Sequence, residues 1–452
     1  MRRPLSMLLI LMMTTVYAQF GPQQIITTEA NGPNSIFVTD FDGDNLPDVV
    51  SANKFGSSIT WYKNLDGTSF GPENFIGFIN QPVNVYAANL DGDSDMDVLS
   101  LSAPDDLIVW YENLDGLGDF SNQKIISDTE DGIYEIIASD LDGDSDLDVI
   151  SGSASLGLSW FENLDGLGNF GPKQIINASA SAPRSVAAVD IDGDLDLDIV
   201  SSSSGSVTLT WYENLDGLGN FGAMQVIAPS APAINSIFAI DLDMDNDVDI
   251  LTSTVGDNKM AWFENLDGQG NFSNEIVITT QAAGINTVFA ADLDNDNDID
   301  AISSTFDDGV SWYENLNGEG VFGTEQIITI NILGLKSIFA ADIDNDTDID
   351  VFSASQNDDK IAWYENQTIV GIEEYNNIEV ILTPNPVKDL LNISAKENIS
   401  AVALSNVLGQ ELYNSNVEAL ETTLDLSNYA NGTYFVTIVI EGNSITKKVI
   451  KE

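Results

Sequence analysis

The sequence predicts an all-β chain: a seven-bladed β-propeller whose N-terminal strand closes the last blade, followed by a small C-terminal β-sandwich. Three recurrences predict it. An aspartate-rich stretch begins at Asp40, Asn89, Asp140, Asp190, Asp241, Asp292 and Asp342, in steps of 49 to 51 residues. A Trp-aromatic-Glu/Lys-Asn signature runs in step with it at Trp61, Trp110, Trp160, Trp211, Trp262, Trp312 and Trp363, which are all seven tryptophans of the chain. A fixed period of this length marks a solenoid or a propeller. The third recurrence decides between them. "FGPQQII" at 20–26 precedes the first acidic stretch and returns in related forms at 70–76, 120–126, 170–176, 221–227, 272–278 and 322–328, while the last repeat ends at "IAWYENQ" without it. The beginning of the chain therefore supplies the strand that its last repeat lacks. A ring has a use for such a displaced strand and an open stack has none; seven blades lie within the usual range of roughly four to eight.

The elements follow in order. Arg2 and Arg3, the apolar run Leu8 to Met13 and the small-residue site Val16-Tyr17-Ala18 read as a signal peptide over residues 1–18. The run is far shorter than the roughly 20 apolar residues of a membrane-spanning helix. Residues 19–367 form the ring. Within one period "SIFVTD" leads into the aspartates, "DVVSA" follows, "SITWYKN" alternates, and a turn such as "LDGLG" leads to "FGPKQII". Short runs of β-branched and aromatic residues between Asp-Gly turns predict four strands per blade. Residues 368–377 read as a linker and 378–452 as a separate β module.

Composition narrows the chemistry. The formal net charge of −57 turns the chain away from nucleic acid and anionic membrane and toward cations. With 43% hydrophobic residues it is no disordered acidic tail. The sequence has neither cysteine nor histidine, which removes disulfides, the usual zinc sites and every histidine-based triad.

The aspartates keep one register. Position 1 of each loop is Asp40, Asn89, Asp140, Asp190, Asp241, Asp292 or Asp342; positions 3, 5 and 9 are aspartate in all seven loops. The candidate ligands are Asp40, Asp42, Asp44 and Asp48 in the first loop, Asn89, Asp91, Asp93 and Asp97 in the second, and Asp140, Asp142, Asp144 and Asp148 in the third. They continue as Asp190, Asp192, Asp194 and Asp198, then Asp241, Asp243, Asp245 and Asp249. The last two loops give Asp292, Asp294, Asp296 and Asp300, and Asp342, Asp344, Asp346 and Asp350. Hard oxygen ligands at alternating positions, with a backbone carbonyl at position 7 and a carboxylate at position 9, are the spacing of a calcium loop, and calcium accepts roughly 6–8 oxygens in flexible geometry. About seven Ca2+ ions, one per blade, are expected. The competing reading is a solvated acidic turn, which has no reason to hold one register through every repeat. Apolar residues at position 2 (Phe41, Leu141, Ile343) and position 8 (Met96, Leu147, Ile349) are expected to pack inward.

These loops resemble the FG-GAP/VCBS family of calcium-loop propeller repeats, seen in integrin α-subunits, some lectins and many bacterial surface proteins. The resemblance covers residues 19–367 and implies a calcium ion between the first two strands of each blade. The sequence departs from the family at position 6, where glycine is common and Asn45, Ser94, Ser145, Leu195, Asn246, Asn297 and Thr347 stand, and at position 4, where Met244, Asn295 and Asn345 replace glycine. Leu195 is the least comfortable of these if the backbone there is left-handed, and the fifth site is expected to be weaker.

The tryptophans admit two readings, a ring of sugar-stacking platforms or wedges between neighbouring blades. The wedge is favoured, because large aromatics bury well and every blade needs the same one. The C-terminal module carries Pro384-Asn385-Pro386 before a strand, Leu408-Gly409-Gln410 at a hairpin, Asn431-Gly432-Thr433-Tyr434 before the penultimate strand, and Lys447-Lys448-Val449-Ile450-Lys451 at its end. It resembles the type A sorting domain of the bacterial type IX secretion system. That implies the secretion machinery as a partner and a secreted or outer-surface location.

The expected function is a non-catalytic, calcium-binding surface propeller for adhesion, with a glycan or a surface protein as ligand. The alternatives are a polysaccharide lyase or glycosidase on the same scaffold, or a passive display domain. Residues able to do chemistry recur in every blade, whereas an active site breaks repeat symmetry. The few breaks are Arg184, the only arginine after residue 18, with Lys54-Phe55, Pro104-Asp105-Asp106, Asp307-Asp308 and Asp358-Asp359. They read as surface-loop residues first and ligand contacts second.

Overall fold

The computed structural model describes residues 19–180, 182–203, 208–229, 233–306, 309–367, 380–406, 411–440 and 443–451. The expected signal peptide, the linker, Asp307-Asp308 and the Leu408-Gly409-Gln410 hairpin lie outside them. The chain divides into two compact units between residues 370 and 371. No helix of the described residues is long and apolar enough to cross a membrane.

The first unit consists of seven four-stranded antiparallel sheets. In the first blade the strands are Pro33–Thr39, Asp48–Asn53, Ser58–Asn64 and Phe70–Phe78, paired in that order. The second strand of every blade is buried along its whole length. A strand covered on both faces needs apolar or small residues throughout rather than alternation, which is how "DVVSAN", "DVISGS" and "DIVSSS" read. The outermost strands are half exposed, with an alternating pattern.

The ring closes as the displaced strand predicts. Gln24–Thr27 pairs with Lys360–Tyr364, beside Asp350–Ser355 and Leu335–Ala341, and so completes the last blade. Gln24 lies opposite Trp363 and Ile25 opposite Ala362. Gly21 N–H donates to Glu365 O at 2.7 Å, and Gln367 N–H to Gln19 O at 2.7 Å.

The cores sit between blades. Trp61 and Ile59 of the first blade share one apolar cluster with Val85, Ala87 and Tyr111 of the second. All seven tryptophans are buried, so the wedge reading holds. Five indoles, those of Trp61, Trp110, Trp160, Trp211 and Trp262, are each roofed by a glycine of the next blade's turn. A Cβ added to Gly118 would come within 2.3 Å of the Trp61 ring, so only glycine allows the blades to approach this closely.

The second unit is one curled sheet of five strands, in which residues from both halves share a core of Leu391, Ile393, Val402, Leu404, Val436 and Ile438. Its long strand Leu390–Asn406 pairs on one side with Glu411–Asp425, and on the other with Val380–Thr383 and Gly432–Ile440. The Pro-Asn-Pro motif has a visible task. Asn385 Nδ2 donates to Lys448 O at 2.9 Å, and its Oδ1 accepts Ile450 N–H at 2.9 Å, so one side chain staples the final strand. Tyr434 Oη donates to Ala430 O at 2.7 Å across the Asn431-Gly432-Thr433 turn.

Candidate metal centres

Each acidic stretch is the loop between the first and second strands of its blade. Its shape follows from short local bonds. In the third blade Asp140 Oδ1 accepts Gly143 N–H at 2.8 Å, Asp140 Oδ2 accepts Ser145 N–H at 3.0 Å, and Asp144 Oδ1 accepts Asp146 N–H at 3.0 Å. The same bonds recur in the fourth blade from Asp190 and Asp194. Aspartates favour such turns because their carboxylates reach backbone N–H groups a few residues on.

The turn forces a left-handed backbone at positions 4 and 6. All seven residues at position 6 have φ between 68° and 83°, and Leu195 stands at 78°. Met244, Asn295 and Asn345 at position 4 lie at 61° to 63°. Asparagine tolerates this region and leucine does not, at roughly 1–2 kcal/mol. Leu195 is also 88% exposed, so its side chain returns little packing. Leu195→Asn is expected to stabilise the propeller by about 1 kcal/mol, read as a higher urea midpoint at unchanged slope; an unchanged or lower midpoint refutes it.

The apolar residues at position 2 are buried: Phe41, Leu141 and Ile343 are at most 1% exposed. Met96, Leu147 and Ile349 at position 8 pack against the clusters that hold the preceding blade's position-2 residue, Phe41, Leu90 and Leu293. The loop is thus pinned at both ends, and its carboxylates are driven together. Three carboxylates place one oxygen each within 4.8 Å of one another in several loops, among them Asp40, Asp42 and Asp48; Asp140, Asp142 and Asp148; Asp190, Asp192 and Asp194; Asp241, Asp243 and Asp249; Asp292, Asp294 and Asp300. The position-5 carboxylates lie at the exposed mouth of the loop.

Whether a cation fits is decided at position 3. Oδ1 of Asp42, Asp91, Asp142, Asp192, Asp243, Asp294 and Asp344 is buried and has no hydrogen-bond partner. One orphaned anionic oxygen costs roughly 1–3 kcal/mol or more, and here it recurs at one position in every blade. A divalent cation among these oxygens would satisfy all of them. The donor set is oxygen alone, which suits a hard cation. Without a cation the acids resist ionisation. Burial, reinforced by Asp93 and Glu112, pushes Asp91 up to about 6; burial and Asp245 do the same to Asp243.

Position 9 does more than its spacing announced. Asp198 is fully buried, its Oδ2 accepts Ile191 N–H at 3.0 Å and its Oδ1 accepts Asn214 N–H at 2.7 Å. The equivalent acid of every blade makes the same two bonds. Burial pushes these carboxyls up to about 7 in Asp48, Asp97, Asp148, Asp198 and Asp350, and to about 8 in Asp249 and Asp300. Each is a staple between loop and third strand, with its remaining lone pairs facing the other carboxylates.

The partner in that staple, the asparagine of Trp-aromatic-Glu/Lys-Asn, is the residue that sequence reasoning missed. Its side chain reaches into the preceding blade. Asn113 Nδ2 donates to Phe41 O at 2.8 Å, Asn214 to Leu141 O at 2.8 Å, and Asn64 to Ile343 O at 2.9 Å across the closure. The signal was present, since this asparagine never varies among seven repeats whose neighbouring residues do.

The first blade differs in one further way. Six blades carry glutamate before that asparagine, and Glu112, Glu162, Glu213, Glu264, Glu314 and Glu365 each raise the position-3 acid of their own loop. The first blade carries Lys63, whose ammonium pairs with Asp42 and, at 3.0 Å, with Asp44. A built-in cation already sits where the metal would.

An FG-GAP-like repeat model matches residues 40–100, 90–151, 140–201, 190–252 and 292–353, each match running from one acidic loop to the next. A secretion system C-terminal sorting domain model matches 382–452. No curated protein matches the chain. Among solved structures it is similar to BBS1N in complex with ARL6DN, soaked with lead, at 10% identity and a TM-score of 0.56, over 79% of this chain and 100% of that one. The mercury-soaked crystal gives 11% identity and the same TM-score and coverage. PorZ, described as an essential bacterial surface component of the type-IX secretion system of Porphyromonas gingivalis, aligns at 11% identity and a TM-score of 0.47, over 90% of this chain and 58% of that one.

Proposed function

The chain belongs to the FG-GAP-like repeat family and ends in a sorting domain that directs it to the outer cell surface or into secretion, and on that basis we propose that it is a non-catalytic, calcium-loaded propeller that binds glycans or proteins at a bacterial surface. The sorting domain engages the secretion machinery. The observation that carries the calcium reading is the orphaned oxygen at position 3 of every loop. Asp42-type and Asp140-type carboxylates would hold the ion, the position-5 acids would cap it, and the position-9 acids would anchor the loop around it. Calcium suits a flexible, all-oxygen set of this size better than magnesium, which demands tighter octahedral geometry. Bound ions would give the ring the cross-links that a cysteine-free exported protein lacks.

A binding role rather than catalysis rests on the symmetry of the acids. The position-9 carboxylates are tied to backbone N–H groups in every blade alike, and a general acid or base needs a proton path to substrate. Adhesion is the use that fits an exported, strongly anionic ring, since net charge of this size also keeps copies apart.

Isothermal titration of the full chain with calcium is expected to count about six tight ions, with the first blade weaker by roughly 10-fold or more. Lys63→Glu, which installs the residue of the other blades, is expected to add one tight ion. A count of two or fewer, or a Lys63→Glu variant with no added ion, contradicts the assignment. Glycan-array and cell-surface binding should depend on calcium and be lost in EGTA; turnover of a bound polysaccharide would contradict the non-catalytic part.

A further inference from the structure

The innermost strands run from the rim of the ring to the acidic loops, so the central channel opens at the end opposite the candidate metal centres. There it widens into a cavity of about 760 Å³, within the range of pockets that hold small ligands. Its floor is an arc of rings: Tyr86, Phe37, Phe339, Phe289 and Phe238 touch in succession, at centroid separations of 4.5–5.5 Å. Its wall is a belt of hydroxyls and amides, including Ser35, Ser185, Ser236, Thr287 and Asn84. Asn84 Oδ1 is buried there without a partner.

The rim holds the cations. Lys63, Lys124, Lys173, Lys259 and Lys360 of the propeller are ion-paired. Among the described residues the other three propeller cations, Lys54, Arg184 and Lys336, show no ion pair, and all three line this cavity. Arg184 Nη1 donates to Asn235 Oδ1 at 3.1 Å and the guanidinium sits 5.2 Å from the Tyr134 ring, so the fork is held in place. Burial and the nearby Lys54 hold the Lys336 ammonium below its usual range. The one acid in the cup, Glu135, is pushed up to about 8 by burial, which leaves it largely uncharged at neutral pH.

We propose that this cup is a binding site for a short acidic oligosaccharide of the uronate type, with carboxylates on Arg184 and on the Lys54–Lys336 pair and sugar hydroxyls on the serine and asparagine belt. Arginine's planar fork matches a carboxylate. The two cationic spots belong to the fourth blade and to the junction of the first and last, on opposite sides of the mouth, so they suit a ligand with separated negative groups. An acidic peptide is disfavoured because in four of the seven blades the inner strand already spends an edge N–H on the preceding blade, with Ile36 N–H donating to Ser337 Oγ at the closure. Val85 N–H donates to Ser35 Oγ, Ile237 N–H to Ser185 Oγ and Val288 N–H to Ser236 Oγ of the preceding blade. The inference rests on the surface-binding reading above and names its ligand class.

The test is calorimetric titration of the full chain, in millimolar calcium, with trigalacturonate and with its neutral methyl ester. The acid form is expected to bind at least about 10-fold more tightly than the ester, because each tenfold is only one good charged contact. Arg184→Gln and Lys336→Gln should each weaken the acid form by a similar factor at unchanged melting temperature, and Lys124→Gln should leave it unaltered. Equal affinity for acid and ester, indifference to both rim variants, or tighter binding of a triglutamate peptide overturns the proposal. A chain that ignores trigalacturonate yet keeps calcium-dependent binding to other glycans or proteins loses this inference alone; one that binds nothing loses the broader reading as well.

Discussion

Chelation is expected to lower the melting temperature of the chain by more than about 10 °C at pH 8. A ligand present at roughly 100 times its dissociation constant adds about 2.7 kcal/mol per site, and several equivalent sites in one ring together rival the roughly 5–15 kcal/mol that keeps a whole domain folded. Removing the ions also leaves each orphaned position-3 oxygen beside the other carboxylates of its own loop. The pH dependence has opposite signs in the two states. In chelator the position-9 carboxyls sit at about 7 to 8, well above the roughly 3.9 of an unfolded aspartate. Between these values the folded state binds more protons than the unfolded one, so stability falls as pH rises through the window. With calcium bound the acids must be ionised, protons compete with the ion, and stability falls as pH is lowered toward 5. Melting curves at pH 5, 6, 7 and 8, with calcium and with EGTA, should therefore be far apart at pH 8 and converge at pH 5. Coincident curves at pH 8 would remove calcium from the account of this fold.

Much of the architecture was legible because repetition averages out local ambiguity. One "DLDGDSDLD" is a turn with several readings; seven in a single register at one spacing are a loop design. The offset of the "FGPQQII" strand implies closure by itself, and Gln24–Thr27 does pair with the last blade. The inward-packing positions followed from apolar residues alternating with acids. What stayed hidden depends on neighbours distant in the chain. The Asn214 side chain bonds a carbonyl 73 residues earlier, which no reading within one repeat can see. The spacing predicts Asp198 as a ligand, but its two N–H partners belong to the loop's start and to the end of the third strand, so its stapling role needs the folded sheet. Lys63 stood in plain view as the exception to six glutamates, yet its meaning depends on how near Asp42 and Asp44 come. Lys54, Arg184 and Lys336 lie in different repeats and acquire a common role only when the ring brings them round one mouth.

The blade seams should be the other large liability. Asn214→Ala is expected to cost about 3–5 kcal/mol, on the order of two or three buried polar groups left without partners. The side chain is fully buried. It donates to Leu141 O of the preceding blade at 2.8 Å and to Leu197 O of its own loop at 3.3 Å, and its Oδ1 accepts Gly219 N–H at 3.2 Å. Alanine leaves both carbonyls and the N–H unmet at a dry seam, and Asn214→Asp would be worse, because it points a carboxylate at two carbonyl oxygens. The side chain of Asn220, four residues past the turn's start, bonds the exposed Asp216, and its backbone bond from Leu215 N–H survives truncation, so Asn220→Ala should stay within about 0.5 kcal/mol. The measurement is urea unfolding of the three proteins, each in calcium and in EGTA. If the seam is mechanical, the Asn214→Ala loss persists in chelator. A loss seen only in calcium would make this asparagine an accessory of the metal loop, and a loss below 1 kcal/mol in both conditions would mean that apolar packing around Trp160 and Tyr212 holds the blades together without it.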